Sequence, residues 1–403
     1  MIHYRADWVF PISAPPLRDG WIAVDGDRIA GVSSAAPRRL VDPIDLGRVA
    51  VLPGLVNAHT HLELSYLRGR IPPGRSFIAW IRDVIGTRRQ HPDARAPEIL
   101  GAVHAAIAEM VAAGTAVVGD ITNTLVTSDP LVRSPLAGMV FYEIIRSIAD
   151  DPKRHVDQAL DALGQAAHSD RVRASLAAHA PYSVAPSVFR AIRAAMSRLE
   201  PPCSVHLAES AEEVEFIRTG GGPWRSLKEE LGAVDRSWKP PGCTPVEYLD
   251  RIEFLGPTVV AVHGVQMTDG DLRLLAARRA TLVTCPRSNV HTGAGEPPIQ
   301  RFYESGVRVA VGTDSLASVE DLNVFAELAA MRRIAPRVAA SKLIDSATRQ
   351  GAKALGFGAD YGTIETGKRA RLIAVDLPAS CGDVEQYLVS GIQPSQIRWL
   401  HAG

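Results

Sequence analysis

The chain has 403 residues, 46% hydrophobic and 22% charged, and its 44 basic and 44 acidic side chains cancel. Balanced charge with no block of one sign excludes a basic nucleic-acid face and a polybasic membrane patch. No apolar run reaches the roughly 18 residues that a membrane span needs, and the length predicts one large domain plus a smaller one.

Arg5 and Asp7 interrupt the N-terminus, so no secretory signal is expected. Cys203, Cys243, Cys285 and Cys381 lie far apart, with no Cys-x-x-Cys pair. That spacing predicts neither a thiolate metal site nor a disulfide framework, and it fits a reducing cytoplasm. Cys203 and Cys285 sit in apolar runs and read as small buried residues.

Residues 1–50 read as short strands. Trp8-Val9-Phe10 is one. Trp21 to Val24 and Arg28 to Val32 flank Asp25-Gly26, a tight-turn signal that predicts a hairpin. The other end reads alike: turn-rich Gly362 to Gly367, then strands at Leu372 to Val375 and Ile397 to Leu400. The two strand-rich ends, 1–50 and 359–403, predict one small β-sandwich domain built from both termini.

The middle, 51–358, alternates. Eight apolar runs read as strands: Val51–Val56, Thr115–Ile121, Met139–Ile145, Val172–Ala177, Cys203–Leu207, Thr258–Val262, Thr281–Cys285 and Arg308–Gly312. Helical patterns lie between them, at Phe77–Arg88, Arg154–Ala167, Pro186–Arg198, Ala211–Arg218, Asp269–Arg278, Ile299–Ser305 and Glu320–Arg332. Strand–helix alternation implies parallel strands with crossover helices. Eight such units in about 300 residues fit a (β/α)8 barrel of the TIM type. No Gly-x-Gly-x-x-Gly opens the first helix, which argues against the open dinucleotide-binding alternative. Residues 219–245, rich in Gly and Pro with Trp224 and Trp238, read as a long loop inserted after strand five.

Barrel enzymes carry their chemistry at the C-terminal ends of strands. Strand one ends in Asn57-Ala58-His59-Thr60-His61, where residues i and i+2 of an extended chain face one object. Strand four ends at His179, strand five at His206 with Glu209 beyond it, strand six at His263 and strand eight at Asp314. Five of the twelve histidines therefore fall at strand ends. A single one would be an ordinary hydrogen-bonded histidine; together they predict a metal site. His59, His61, His206 and Asp314 supply four N/O ligands for zinc or iron, which keeps a place for water and makes it acidic. Glu209 is placed to shuttle the proton, and His263 to stabilise charge.

These motifs, with Pro53-Gly54-Leu55-Val56, Val205-His206-Leu207-Ala208-Glu209, Ala261-Val262-His263-Gly264, Thr284-Cys285-Pro286-Arg287-Ser288-Asn289 and Val311-Gly312-Thr313-Asp314-Ser315, resemble the amidohydrolase superfamily. The branch they resemble holds the mononuclear chlorohydrolases and nucleoside deaminases. The resemblance spans essentially the whole chain. It implies the metal ligands His59, His61, His206 and Asp314, with Glu209 as proton shuttle and His263 and Asp314 at the reacting water. His179 matches a substrate contact. Binuclear members use a carboxylated lysine on strand four. Val172–Ala180 has no lysine, so one divalent ion is implied, zinc first, with iron compatible with the same ligands.

The stretch His61-Leu62-Glu63-Leu64-Ser65, and Tyr387 to Gly391 in the tail, are similar to aminodeoxyfutalosine deaminases of menaquinone biosynthesis. Such enzymes deaminate a 6-aminopurine nucleoside whose 5′ extension carries a benzoate. The carboxylate calls for a guanidinium, with Arg68, Arg146 and Arg287 as candidates. Trp80, Arg287 and Asn289 are candidates to hold the ring. Related S-adenosylhomocysteine and methylthioadenosine deaminases grip the ribose with a Glu just before the first-helix Trp; here that residue is Ala79, and Glu63 is the expected replacement, or else a carboxylate that caps a loop. Guanine or triazine hydrolysis is the alternative, and a non-catalytic binding barrel a more remote one. The expected partner is a small nucleoside-like substrate, and homodimers are an expectation carried over from the branch.

Overall fold

A computed structural model describes residues 1–36, 42–74, 76–196 and 201–400. The predicted end of the fifth-strand-preceding helix, Arg198, lies outside the described residues. Eight parallel strands run in chain order around a barrel: β1 (Leu55–Thr60), β2 (Thr115–Thr122), β3 (Ala137–Ile144), β4 (Val172–Ala178), β5 (Cys203–Leu207), β6 (Val259–His263), β7 (Thr281–Thr284) and β8 (Arg308–Val311). β1, β2, β5, β6 and β7 are buried at every position and β3 at all but one, because helices cover the outside.

The seam between β8 and β1 is closed past the strand ends. The backbone N–H groups of Thr313 and Asp314 both donate to the carbonyl of His59, at 3.1 and 3.0 Å. A side chain at Gly312 would place its Cβ 2.7 Å from that same carbonyl oxygen, so only glycine allows this approach.

A second, seven-stranded sheet joins the two ends of the chain. Ile2–Val9 pairs with Leu17–Asp25, which pairs with Arg28–Ser33; Val49–Pro53 pairs with both Ile2–Val9 and Leu372–Asp376; the short Ile44–Asp45 also pairs with Ile2–Val9, and Ile397–Trp399 completes the edge. Here the expected first barrel strand, Val51–Val56, proves to be two strands. Val49–Pro53 belongs to the terminal sheet and Leu55–Thr60 to the barrel, with Gly54 as the hinge between them. The run is apolar throughout because both sheets are buried, so hydropathy alone shows no break. A Cβ on Gly54 would lie 2.5 Å from that of Ala116 and 3.0 Å from the Trp399 ring, where the two sheets approach.

Helices outside the predicted set include Pro97–Ala112, Gly222–Glu230 and Pro245–Arg251. The last carries a capping box, Thr244 with Glu247. The middle one turns the expected long loop into an ordered element. Its Trp224 stacks on Tyr182 with ring centroids 3.8 Å apart, and Trp238 beyond it stacks on Phe216 at 4.8 Å. Lys228 then fastens it, donating to the Ser147 hydroxyl at 2.6 Å and to the Tyr182 carbonyl at 2.8 Å. Burial pushes the Lys228 ammonium down to about 8.

Candidate active site

The C-terminal ends of β1, β4, β5 and β6 and the loop after β8 deliver five imidazoles and a carboxylate to one place. His59 sits with its ring centroid 5.0 Å from both His61 and His206, and 5.6 Å from His263; His179 lies 5.2 Å from His206. The ligating atoms of His59, His61 and His206 are all within 4.8 Å of one another. Asp314 brings Oδ1 to 3.6 Å from His61 Nε2 and 3.8 Å from His59 Nε2. Its other oxygen accepts from Ser288 at 2.5 Å, which fixes the carboxylate's orientation.

Three residues here have left-handed backbone: Ala208 (φ 52°), His263 (φ 79°) and Asp314 (φ 62°). Such conformations cost about 1–3 kcal/mol each and persist where surrounding structure imposes them. They turn the chain sharply at the strand ends and aim Glu209, His263 and Asp314 at the centre.

Burial and neighbouring imidazoles hold His59 and His263 well below the usual histidine range. Burial likewise lowers His61, and takes His179 down to about 4 against the attraction of Glu143. Neutral imidazoles have a free lone pair. Both ring nitrogens of His59 and the Nε2 of His206 are buried with no hydrogen-bond partner among the described residues. Orphaned buried donors and acceptors are costly unless something binds them. Three imidazoles and a carboxylate around one point fit a divalent cation, and those orphans are the atoms that would hold it.

Glu209 stands beside this cluster, 3.5 Å from His263 Nε2. Burial, then the negative charges of Asp314 and Glu213, push its carboxyl well above the usual range. A carboxyl whose hold on a proton is strengthened in this way is suited to relaying one. The Asn289 amide lies 2.9 Å from His263 Nδ1, and His263 Nε2 lies 2.9 Å from His206 Nδ1, so the ring is held from both sides. Asn289 thus supports His263 from behind.

Two residues of this site escaped the sequence reading. Glu213, fully buried, accepts from the backbone N–H of Ala208 at 2.9 Å and of Glu209 at 2.8 Å, and so fixes the turn that carries Glu209. Burial pushes its carboxyl up to about 7. Glu143, at the end of β3, sits with Oε1 3.4 Å from His206 Nε2 and joins His179 and His206 in a second cluster of ligating atoms. Burial would raise its carboxyl, but His179, His206 and His61 outweigh it and hold it low. In the sequence Glu143 lies within the third apolar run, where no histidine stands beside it to mark it. Replacement of Glu213 by Gln is expected to lower kcat about 10- to 100-fold, the usual effect of losing a buried supporting carboxylate. Bound metal should be unchanged, as metal analysis beside steady-state kinetics would check.

Other expected substrate contacts are placed differently. Glu63 is heavily engaged: Thr122, Thr124 and two backbone N–H groups donate to Oε2, and Arg88 donates to Oε1 at 3.1 Å. It caps the loop after β2, which occupies Oε2 fully and one of the two acceptor positions of Oε1. Arg287 spends its guanidinium on Glu327 at 2.6 Å and on Asp321 at 2.9 Å, away from the histidines. Arg68 is paired with Glu109. Trp80 is buried in a cluster with Leu64, Tyr66, Leu67 and Ile71, so it is core. Arg146 differs. It is exposed, and its guanidinium has no ion pair or hydrogen bond among the described residues. With Glu143, Asn123 and Tyr142 it lines a cavity of about 330 Å³.

A parallel barrel that gathers imidazoles and carboxylates at its strand ends is that of a metal-dependent hydrolase. Residues 50–396 match the amidohydrolase family, and the chain belongs to that family. It is 28% identical to the 5-methylthioadenosine/S-adenosylhomocysteine deaminase of Moorella thermoacetica, over 96% of this chain and 90% of that protein. It is 30% identical to the aminodeoxyfutalosine deaminase of Deinococcus radiodurans, over 84% and 81%. Among solved structures it resembles Helicobacter pylori aminofutalosine deaminase in complex with methylthio-coformycin, with a TM-score of 0.85, 25% identity, and coverage of 99% and 97%. The protein is accordingly an enzyme that cleaves carbon–nitrogen bonds by hydrolysis. No helix among the described residues is long and apolar enough to cross a membrane.

Proposed function

We propose that the enzyme deaminates a 6-aminopurine nucleoside bearing a carboxylate on its 5′ extension, with aminodeoxyfutalosine as the preferred substrate and menaquinone biosynthesis as its setting. The observation that carries the reading is the free guanidinium of Arg146 at the cavity beside the histidine cluster, where Arg68 and Arg287 are both consumed. Two apolar side chains, Ile145 (47% exposed) and Ile148 (46%), flank it in sequence and face solvent. A cation between exposed aliphatic groups suits a benzoate better than a small amino-acid carboxylate.

The roles at the reacting end follow from the geometry. His59, His61, His206 and Asp314 would hold a divalent ion, zinc by the preference of such a donor set, and the ion supplies a Lewis acid and an acidic water. Glu209 would pass one proton from the attacking water to the ring nitrogen and then the second, from the added hydroxyl, to the departing amine, so that ammonia leaves and the added oxygen becomes the ring carbonyl. His263, its ring fixed by Asn289, steadies the charge that develops on the added oxygen. His179 and Glu143 face the same space and offer polar contacts to the nucleoside, with Glu143 Oε1 a buried acceptor.

The test is ammonia release from aminodeoxyfutalosine, adenosine, S-adenosylhomocysteine and guanine. The first is expected to have the highest kcat/KM. Arg146→Ala should lower it about 10- to 100-fold through KM, by loss of a charge-assisted pair, and leave adenosine unaffected. A preference for S-adenosylhomocysteine, or an equal loss on every substrate, would discard this reading of Arg146.

A further inference from the structure

The opposite end of the barrel holds a different kind of cavity. Arg171 directly precedes β4, Ser134 and Pro135 precede β3, and Arg371 precedes the terminal-sheet strand Leu372–Asp376. These residues, with Arg133, Arg369, Asp27 and Tyr361, line a cleft of about 440 Å³ between barrel and terminal sheet. Four guanidiniums and one carboxylate face it. Arg369 is neutralised by Asp27, and Arg133 by Asp129 at 3.1 Å on the rim. The other two are not neutralised. Among the described residues Arg171 donates only to the Ser134 carbonyl, at 3.2 Å. Arg371 lies 4.3 Å over the Trp399 ring, and its Nε is buried with no partner among the described residues.

Two guanidiniums held in one cleft without a counterion repel each other and forfeit hydration. Burial lowers Arg371, Tyr361 opposes that shift, and the charge of Arg171 adds to it in smaller measure. Each guanidinium is a planar fork matched to the oxygens of phosphate or carboxylate. The cleft's volume is that of a small organic ligand and far exceeds a single ion. Its charge is local, since the chain as a whole is neutral, so no extended nucleic-acid track leads into it.

We propose that this cleft binds a small phosphate-bearing anion, held between Arg171 on the barrel and Arg371 on the terminal sheet. The site is remote from the strand ends that carry the histidines, and it joins the two sheets of the protein through the ligand.

The test uses the metal-loaded full-length enzyme with two probes, inorganic phosphate and ribose 5-phosphate, at constant ionic strength balanced by sodium chloride. Thermal unfolding and calorimetric titration read the binding. A saturable rise in Tm and a measurable Kd are expected for at least one probe. Tighter binding of the ester would identify a phosphorylated metabolite as the natural occupant, and equal binding would identify free phosphate. Arg371→Gln should weaken binding about tenfold or more, as expected for a lost charge-assisted pair. Arg133→Glu, at a side chain 75% exposed on the rim, should weaken it by repulsion without threatening the fold, and should leave ammonia release unchanged. No saturable effect of either probe, or undiminished binding in Arg133→Glu, would overturn the proposal.

Discussion

Glu209→Gln is expected to lower kcat about 10²- to 10⁴-fold, the usual worth of a positioned acid–base group, with substrate affinity and metal content retained. The amide keeps the carboxyl's shape, so the turn that Glu213 fixes and the contact with His263 should persist. What it removes is the exchangeable proton. The loss should therefore appear in kcat and in kcat/KM alike, as for an interaction made in the transition state only. A variant with near-normal kcat would exclude Glu209 as the proton carrier and turn attention to His263, the other titratable group in contact with it.

Removal of divalent metal by a chelator should abolish ammonia release, by about 10³-fold or more given the nucleophile and the Lewis acid lost together. It should also lower Tm, because anything bound only to the folded state stabilises it by mass action. The orphaned nitrogens of His59 and His206 give that second effect its physical basis: without a cation they remain buried and unsatisfied. Zinc should restore both activity and Tm. His206→Ala should lose metal, and its Tm should no longer respond to the chelator. If the chelator changed neither quantity in a preparation shown to be metal-free afterwards, the four residues would not form a metal site.

The barrel was legible because its strands are short apolar runs in regular alternation with helices, and five of the eight runs end at a His or an Asp. The histidines announced themselves for that reason. What could not be read was any role set by a distant partner. Glu63 has the look of a free acid after the His-x-His pair, but Thr122, Asn123 and Thr124 come from the end of β2 and occupy its Oε2. Arg287 sits one residue before Ser288, a true neighbour of Asp314, yet its helical position turns it outward to Glu327. Glu213 has no motif at all; burial and two backbone donors make it matter. Gly54 hides a boundary because both sheets that meet there are equally apolar.

The closure of the barrel at the His59 carbonyl has a temporal side. Thr60 and Asp314, joined by a hydrogen bond of 2.9 Å, are 254 positions apart in the chain. A ribosome delivers the two histidines of β1 early and the carboxylate near the end, and domains fold as their last pieces emerge. Until β8 is made, the carboxylate is missing from the set, and His59 lacks both amides that hold its backbone in place. A growing chain therefore carries the three histidines without the carboxylate until β8 has been made, and the complete donor set is a property of the finished polypeptide.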